Sequence, residues 1–329
     1  MASMTSINAA LGLGCETTAG TAVAPTQFPF VSSVSIVSSA THHEPNHVTR
    51  LDGYQIGTPQ QGSFKHGFEA AGPYQYNKMG WFWKGVDDTI ATTGPSGSTY
   101  THTVSPGTPQ DFTVEIRPSG EVTEALTIAG VKFSELELTL PIDGLAEWKV
   151  KGVGMSTSTP ATATTIAYPT ANEVNGCDIT TFTLGSTDLA PISNGLSIKI
   201  TQVLEELYPA GRTGGKHNPN EIKYKQSRTL EISTTVRLPI ATWHDFQALH
   251  IASPSPTENT LTVTCTDSAT GETFTLVGRR CTVTAQVLPT VAGEEIVTAT
   301  LTLKARGTLG GSAAWTVTMT NLDASPIQT

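Results

Sequence analysis

The chain is poor in positive charge: 19 lysines and arginines stand against 28 aspartates and glutamates, a net charge of −9, and charged residues make up only 14% of it. A protein that holds nucleic acid by its phosphates needs clustered lysine and arginine, so this balance excludes a general nucleic-acid binder. No lysine or arginine precedes Arg50, which removes the positive start of a secretory leader, and export by a signal peptide is not expected. No apolar run approaches the roughly 20 residues of a bilayer-spanning helix, and a soluble protein without membrane contact is expected. The four cysteines, Cys15, Cys177, Cys265 and Cys281, show no Cys-x-x-Cys spacing. Cys265 and Cys281 fall in the apolar phase of their strands. The four read as buried free thiols acting as small hydrophobes, not as a disulfide or metal set.

What the chain has in quantity is threonine, glycine and proline, a composition that suits strands and turns, and a mainly β fold is expected. Its 329 residues exceed one ordinary core, which predicts two domains of about 150 residues. A doubled stretch agrees. Phe112 to Gly154 reads FTVEIRPSGEVTEALTIAGVKFSELELTLPIDGLAEWKVKGVG, and Leu261 to Gly307 reads LTVTCTDSATGETFTLVGRRCTVTAQVLPTVAGEEIVTATLTLKARG. Each predicts a strand, a turn, a strand, a glycine step and two more strands. In each, a glycine (Gly130, Gly278) is followed eleven positions later by the proline of a Leu-Pro pair, Leu140-Pro141 or Leu288-Pro289, and then by a turn glycine, Gly144 or Gly293. The apolar phase slips by one step between the copies, with Leu136, Leu138 and Leu140 in the first and Cys281, Val283, Ala285 and Val287 in the second. Divergence or a β-bulge accounts for the slip.

The remaining segments double as well. An alternating strand from Phe64 to Ala70 precedes PYQYNKMGWFWKGV, where Tyr76, Met79 and Trp83 have helical spacing behind Pro73. The strand Thr229 to Leu238 precedes PIATWHDFQALH, with Ile240, Trp243, Phe246 and Leu249 on one helical face. Leu196 to Val203 and Ala314 to Asn321 are further strands. Ala40–Gln61 and Pro209–Asn220 read as long polar loops, which in compact domains are usually functional. Ser156–Thr170 reads as a linker. The expected division is a first domain at 1–154, a linker at 155–176 and a second domain at 177–329.

Chemical motifs are few. His43-Glu44-Pro45-Asn46-His47 is a literal HExxH, but zinc binding by that string needs both histidines on one helix. Pro45 lacks an N–H and drives Glu44 out of the helical region, so a solvated, histidine-bearing loop is expected instead. Gly211 to Lys216 lacks the spacing of a phosphate loop. The aromatic group Tyr74, Tyr76, Trp81, Phe82 and Trp83 could stack on bases or sugars, but its spacing favours the core. Asp87-Asp88 and Glu294-Glu295 read as solvated turn charges. No nucleophile is placed beside a base, and no catalytic residue, cofactor or metal is expected.

The opening Gly14-Cys15-Glu16-Thr17-Thr18, followed by Gly20-Thr21-Ala22-Val23-Ala24-Pro25-Thr26, resembles the start of the tail tube proteins of long, non-contractile-tailed bacteriophages, double-domain type. The order of Phe64–Val86, Phe112–Gly130, Val131–Gly154, Thr181–Gly195 and the strand ending at Asn321 is similar, so the resemblance covers nearly the whole chain. Cys15 is the departure. The resemblance implies two tandem β-sandwich or barrel domains of the tail-tube type, each with a short flanking helix. It also implies a structural virion protein that is not an enzyme. Its partner is chiefly itself, as homotrimeric, pseudo-hexameric rings stacked into a tube, with tape measure, tail terminator and distal tail proteins beside it. DNA would pass through the lumen without specific binding, and assembly would take place in the host cytoplasm. The inter-ring loop candidates are His42, His43, Glu44, Pro45, His47, Arg50 and Asp52, with Arg212, Lys216 and His217 in the second loop. Glu135 and Glu137, out of phase with the leucines beside them, are the lumen candidates, on a wall whose net negative charge would keep DNA contacts weak. A surface adhesin and a polysaccharide-acting enzyme are the alternative readings.

Overall fold

The described residues of the computed structural model are 9–43, 60–87, 89–105, 107–117, 125–158, 165–170, 172–175, 178–209, 218–225, 228–237, 258–287, 298–307 and 313–325. In chain order they form β1 (Ala10–Cys15), β2 (Ser33–Ile36), β3 (Ser39–His43), β4 (Gln60–Pro73), the helix α1 (Gly80–Lys84), β5 (Thr89–Ser96) and β6 (Thr99–Ser105). There follow β7 (Phe112–Arg117), β8 (Leu126–Leu140), β9 (Glu147–Gly154), β10 (Ser156–Ser158), β11 (Ile179–Leu184), β12 (Thr187–Asp188) and β13 (Ser193–Thr201). The last are β14 (Leu204–Leu207), β15 (Glu221–Tyr224), β16 (Thr229–Arg237), β17 (Asn259–Thr266), β18 (Thr273–Val287), β19 (Thr298–Ala305) and β20 (Trp315–Asn321). The mainly β expectation holds. Period-two alternation makes these segments strands: in β20, Trp315, Val317 and Met319 are buried and the threonines between them face outward, where β-branched side chains sit well.

One antiparallel sheet runs β2–β4–β9–β8–β13–β16–β19–β18. Most of the other strands make two shorter runs, β1–β7–β8–β10 and β12–β11–β17–β18–β20–β6–β5, while β3 pairs with β4 and β14 pairs only with β15 among the described residues. The long strands β8 and β18 belong to two runs each, and so they bend. In β8 the bend falls at Gly130, where φ is +65° and an added Cβ would lie 2.5 Å from the Met155 sulfur. In β18 the left-handed residue is Arg280, at φ +48°, and its guanidinium is fixed on Glu258 by bonds of 2.7 and 2.8 Å. The glycine step therefore bends one strand where a break between two was expected.

The doubling extends well beyond the two stretches. β1, β2, β4, β7, β8, β9 and β10 make the same set of pairings among themselves as β11, β13, β16, β17, β18, β19 and β20 do. The slip of phase is a bulge: the register shifts between Phe133 and Glu135 in β8, but between Val283 and Ala285 in β18.

Several expectations need correction. The helix predicted behind Pro73 is only Gly80–Lys84, because Pro73 still belongs to β4 and the residues after it stay extended. Tyr74 N–H donates to Ala146 O, and Tyr76 N–H donates to Asn172 O. The tract read as linker begins as β10, and its far end is docked, with Val174 buried between Tyr74 and Ala146. Ala40 and His42 lie in β3, paired with Phe64 and Gln61, so the first polar loop is flanked by a hairpin. Asp87 is buried, not solvated. The second predicted helix, from Pro239, lies outside the described residues, as do Asp88, Glu294 and Glu295.

The core is one apolar cluster fed by both strand sets. α1 is its hub: Gly80, Trp81, Phe82 and Trp83 are all buried. Trp81 meets Trp148 edge to face at 5.2 Å, Trp83 stacks on Phe274 of β18 at 5.8 Å, and Phe112 stacks on Phe133 at 4.8 Å. The core reading of the aromatic group is thus right, and those rings are not open to bases or sugars. Each such side chain contributes about 1.5–3 kcal/mol by burial. Gly85 ends the helix against the Phe133 ring, leaving no room for a methyl group. Gly85→Ala should lower stability by about 1–3 kcal/mol, read as a lower urea midpoint with unchanged slope.

Candidate functional site

The features that set this chain apart are two strand joints linking the first strand set to the second. In one, β8 lies antiparallel to β13 without a register shift: Leu136 faces Ile200, Leu138 faces Ile198 and Leu140 faces Leu196, all buried. Gln202, just past β13, closes that joint by donating from Nε2 to Gly85 O at 2.9 Å and to Phe133 O at 3.0 Å. In the other, β20 pairs with β6. There His102, fully buried, shares a 3.0 Å hydrogen bond with Asn321 Oδ1, and Asn321 Nδ2 donates to Tyr76 O. The sequence offered no sign of this second joint. His102 stands in a polar, threonine-rich strand, and only the pairing reveals that it is interior.

An ion pair with one buried partner, Asp87, sits behind the joints. Arg228 binds Asp87 and Val86 O, and also donates to Gly107 O at 2.6 Å, while Trp315 Nε1 donates to Asp87 Oδ2 at 3.1 Å. Burial pushes the Asp87 carboxyl above its ordinary value, and Arg228 and Trp315 pull it back. Glu16, in the opening motif, is a second buried carboxylate. It accepts from Thr113 Oγ1 at 2.7 Å, from the Gly130 N–H at 2.9 Å and from the Gly20 N–H at 2.7 Å, clasping the opening onto the bend of β8.

The face of the long sheet turned away from the core carries a ladder of alternating charge. Glu69, Lys151, Glu135, Lys199, Glu231 and Lys304 lie on the six successive strands from β4 to β19. Lys151 Nζ is 3.2 Å from Glu135 and 3.8 Å from Glu69, Lys199 Nζ is 2.9 Å from Glu135, and Lys304 Nζ is 3.5 Å from Glu231. Partial burial pushes the Glu135 carboxyl up, but bonds from Lys199 and Lys151 pull it further down, below the ordinary glutamate value. Glu135 and Glu137 do lie opposite the leucine face, as their phase predicted. Glu137 accepts from Ser197 Oγ at 3.0 Å. The row that holds Glu135 is balanced in charge.

The chain matches the profile described as Phage tail tube protein over residues 6–305. It belongs to that family. A comparison with individual curated proteins finds no match. Tail tube proteins are a structural family. No group of three His, Cys, Asp or Glu side chains able to hold a metal is found among the described residues. Burial pushes the Cys265 thiol up to about 12 and the Cys281 thiol up to about 11, so both are inert small hydrophobes, as read from the sequence.

The two polar loops sit on neighbouring hairpins, β3·β4 and β14·β15. These touch each other: Tyr208 Oη donates to Phe64 O at 3.1 Å, Lys65 lies 3.6 Å from Glu206, and His66 Nε2 shares a 3.1 Å bond with Asn218 Oδ1. Of the loop candidates, His42 and His43 have backbone positions in β3. Glu44, Pro45, His47, Arg50, Asp52, Arg212, Lys216 and His217 lie outside the described residues. This pair was missed because Asp87 and Arg228 are far apart in sequence and each alone looks like a surface charge. Arg228→Ala strands a buried carboxylate and should cost about 3–5 kcal/mol in chemical unfolding, with part recovered by adding Asp87→Asn.

Proposed function

We propose that three copies of this tail tube protein close head to tail into a ring, and that rings stack into the hollow tail tube through which phage DNA is ejected. The observation that carries this is the β8·β13 joint. It makes one sheet continuous from the first strand set to the second, with Leu138 opposite Ile198 at its centre. Taken as two tube domains, 1–154 and 177–329 with 155–176 between them, each chain supplies two quasi-equivalent units. A joint that turns one unit relative to the next through a fixed angle generates a closed ring when repeated, and three chains then make six units. The charged face of the long sheet would line the channel, with Glu135 and Glu137 on it. Lys151, Lys199 and Lys304 are each held by a carboxylate, so every ring would offer phosphate only a weak grip. That suits DNA that must slide past many rings.

The loops at 40–61 and 209–220 are the contacts between rings in this reading, and their hairpins already lie side by side. Tape measure, terminator and distal tail proteins would meet the tube inside and at its ends, in the virion, after assembly in the host cytoplasm. No catalysis is part of the role. Cryo-electron microscopy of the assembled protein should show threefold, pseudo-sixfold cross-sections, and six whole chains per ring would sink the two-unit reading. Deleting 44–59 should leave the circular-dichroism spectrum β-rich and the melting cooperative while abolishing stacking. Tubes forming at the wild-type concentration would contradict the loop assignment.

A further inference from the structure

The internal joint has an unfilled counterpart at the two ends of the long sheet. β13, which receives β8, corresponds in the doubled topology to β2, and β8 corresponds to β18. Among the described residues β2 pairs on one side only, with β4, and the final part of β18 pairs on one side only, with β19. At the end of that edge two apolar side chains are open to solvent, Ile36 at 42% and, one residue beyond β2, Val37 at 55%. Bare edges with exposed apolar side chains are templates for another strand.

We propose that the β2 edge of one copy pairs antiparallel with the final part of β18 in the next copy, in a register set by the internal joint. Gly130 aligns on Gly278, Glu69 on Glu231 and Lys151 on Lys304. Carrying the β8·β13 pairing across then sets Ala285 opposite Ser35, Gln286 opposite Val34 and Val287 opposite Ser33. The two joints differ in chemistry. The positions that hold Leu138 and Ile198 inside the chain are taken between chains by Gln286 and Val34, and the neighbouring edge residues are serines. The joint between chains is therefore the more polar of the two and the one that opens first, so that rings come apart into intact chains.

This proposal rests on the ring reading and is tested apart from it. Residues directly opposed in an antiparallel pair have Cα atoms about 4.5–5.5 Å apart, within disulfide reach. Full-length chain carrying Ser35→Cys and Ala285→Cys, assembled and then mildly oxidised, should give a covalent ladder on non-reducing gels that ends at three chains. Neither single variant should give more than a trace, which also controls for the natural thiols. Threefold rings that fail to cross-link at this pair, or that cross-link instead through Ser33→Cys with Ala285→Cys, would overturn the register while leaving the ring intact. A wild-type chain that never forms rings under assembly conditions would overturn both.

Discussion

The interaction on which the rest depends is the pairing of backbone N–H and C=O groups along strand edges. A sheet has two edges, each with a row of unmet donors and acceptors, and a chain this rich in strands must pair, cover or close them. Here the first strand set passes one edge to the second through β8 and β13, with three apolar residues of each strand buried behind the hydrogen bonds. A second pairing, β6 with β20, ties the C-terminal strand back onto the first set. The doubled architecture is therefore held by the device that an assembly of separate subunits would use, made permanent by covalent linkage.

The joints would be flexible seams if each strand set had a core of its own. α1 prevents this. Its two tryptophans face opposite sets, Trp81 towards Trp148 and Trp83 towards Phe274, so the helix locks the sets into one apolar cluster. The Asp87–Arg228 pair works in the same direction by a different route, since the guanidinium from the second set closes over a buried carboxylate of the first. Rigidity between the sets matters for a ring, because closure tolerates little variation in the angle from one unit to the next.

The charge ladder follows from strand geometry and not from any strong bond. An exposed ion pair contributes about 0–1 kcal/mol, and the lysines of the row are well exposed. What the ladder determines is pattern. Opposite charges on adjacent strands satisfy one another across the sheet, leaving a face with neither a basic stripe to hold phosphate nor an acidic one to repel its neighbours.

The sequence by itself determined the mainly β class, the doubled stretch and much of the core. Period-two alternation, turn glycines and an opening motif are local signals, and they report what each segment buries whatever the rest of the chain does. Leu136, Leu138 and Leu140 were legible as a buried face, and so was the outward phase of Glu135. Partnership was not legible. That Leu138 meets Ile198, that His102 is interior and that Asp87 finds Arg228 are decided by which strand comes to lie beside which. The length of α1 was misread for the same reason: Tyr76, Met79 and Trp83 have helical spacing, but Ala146 and the 172–175 segment capture the backbone of Tyr74 and Tyr76. Only the tertiary structure could decide these points, because a strand's hydrogen bonds are made to residues distant in sequence, and nothing in a strand's own residues says where those will be.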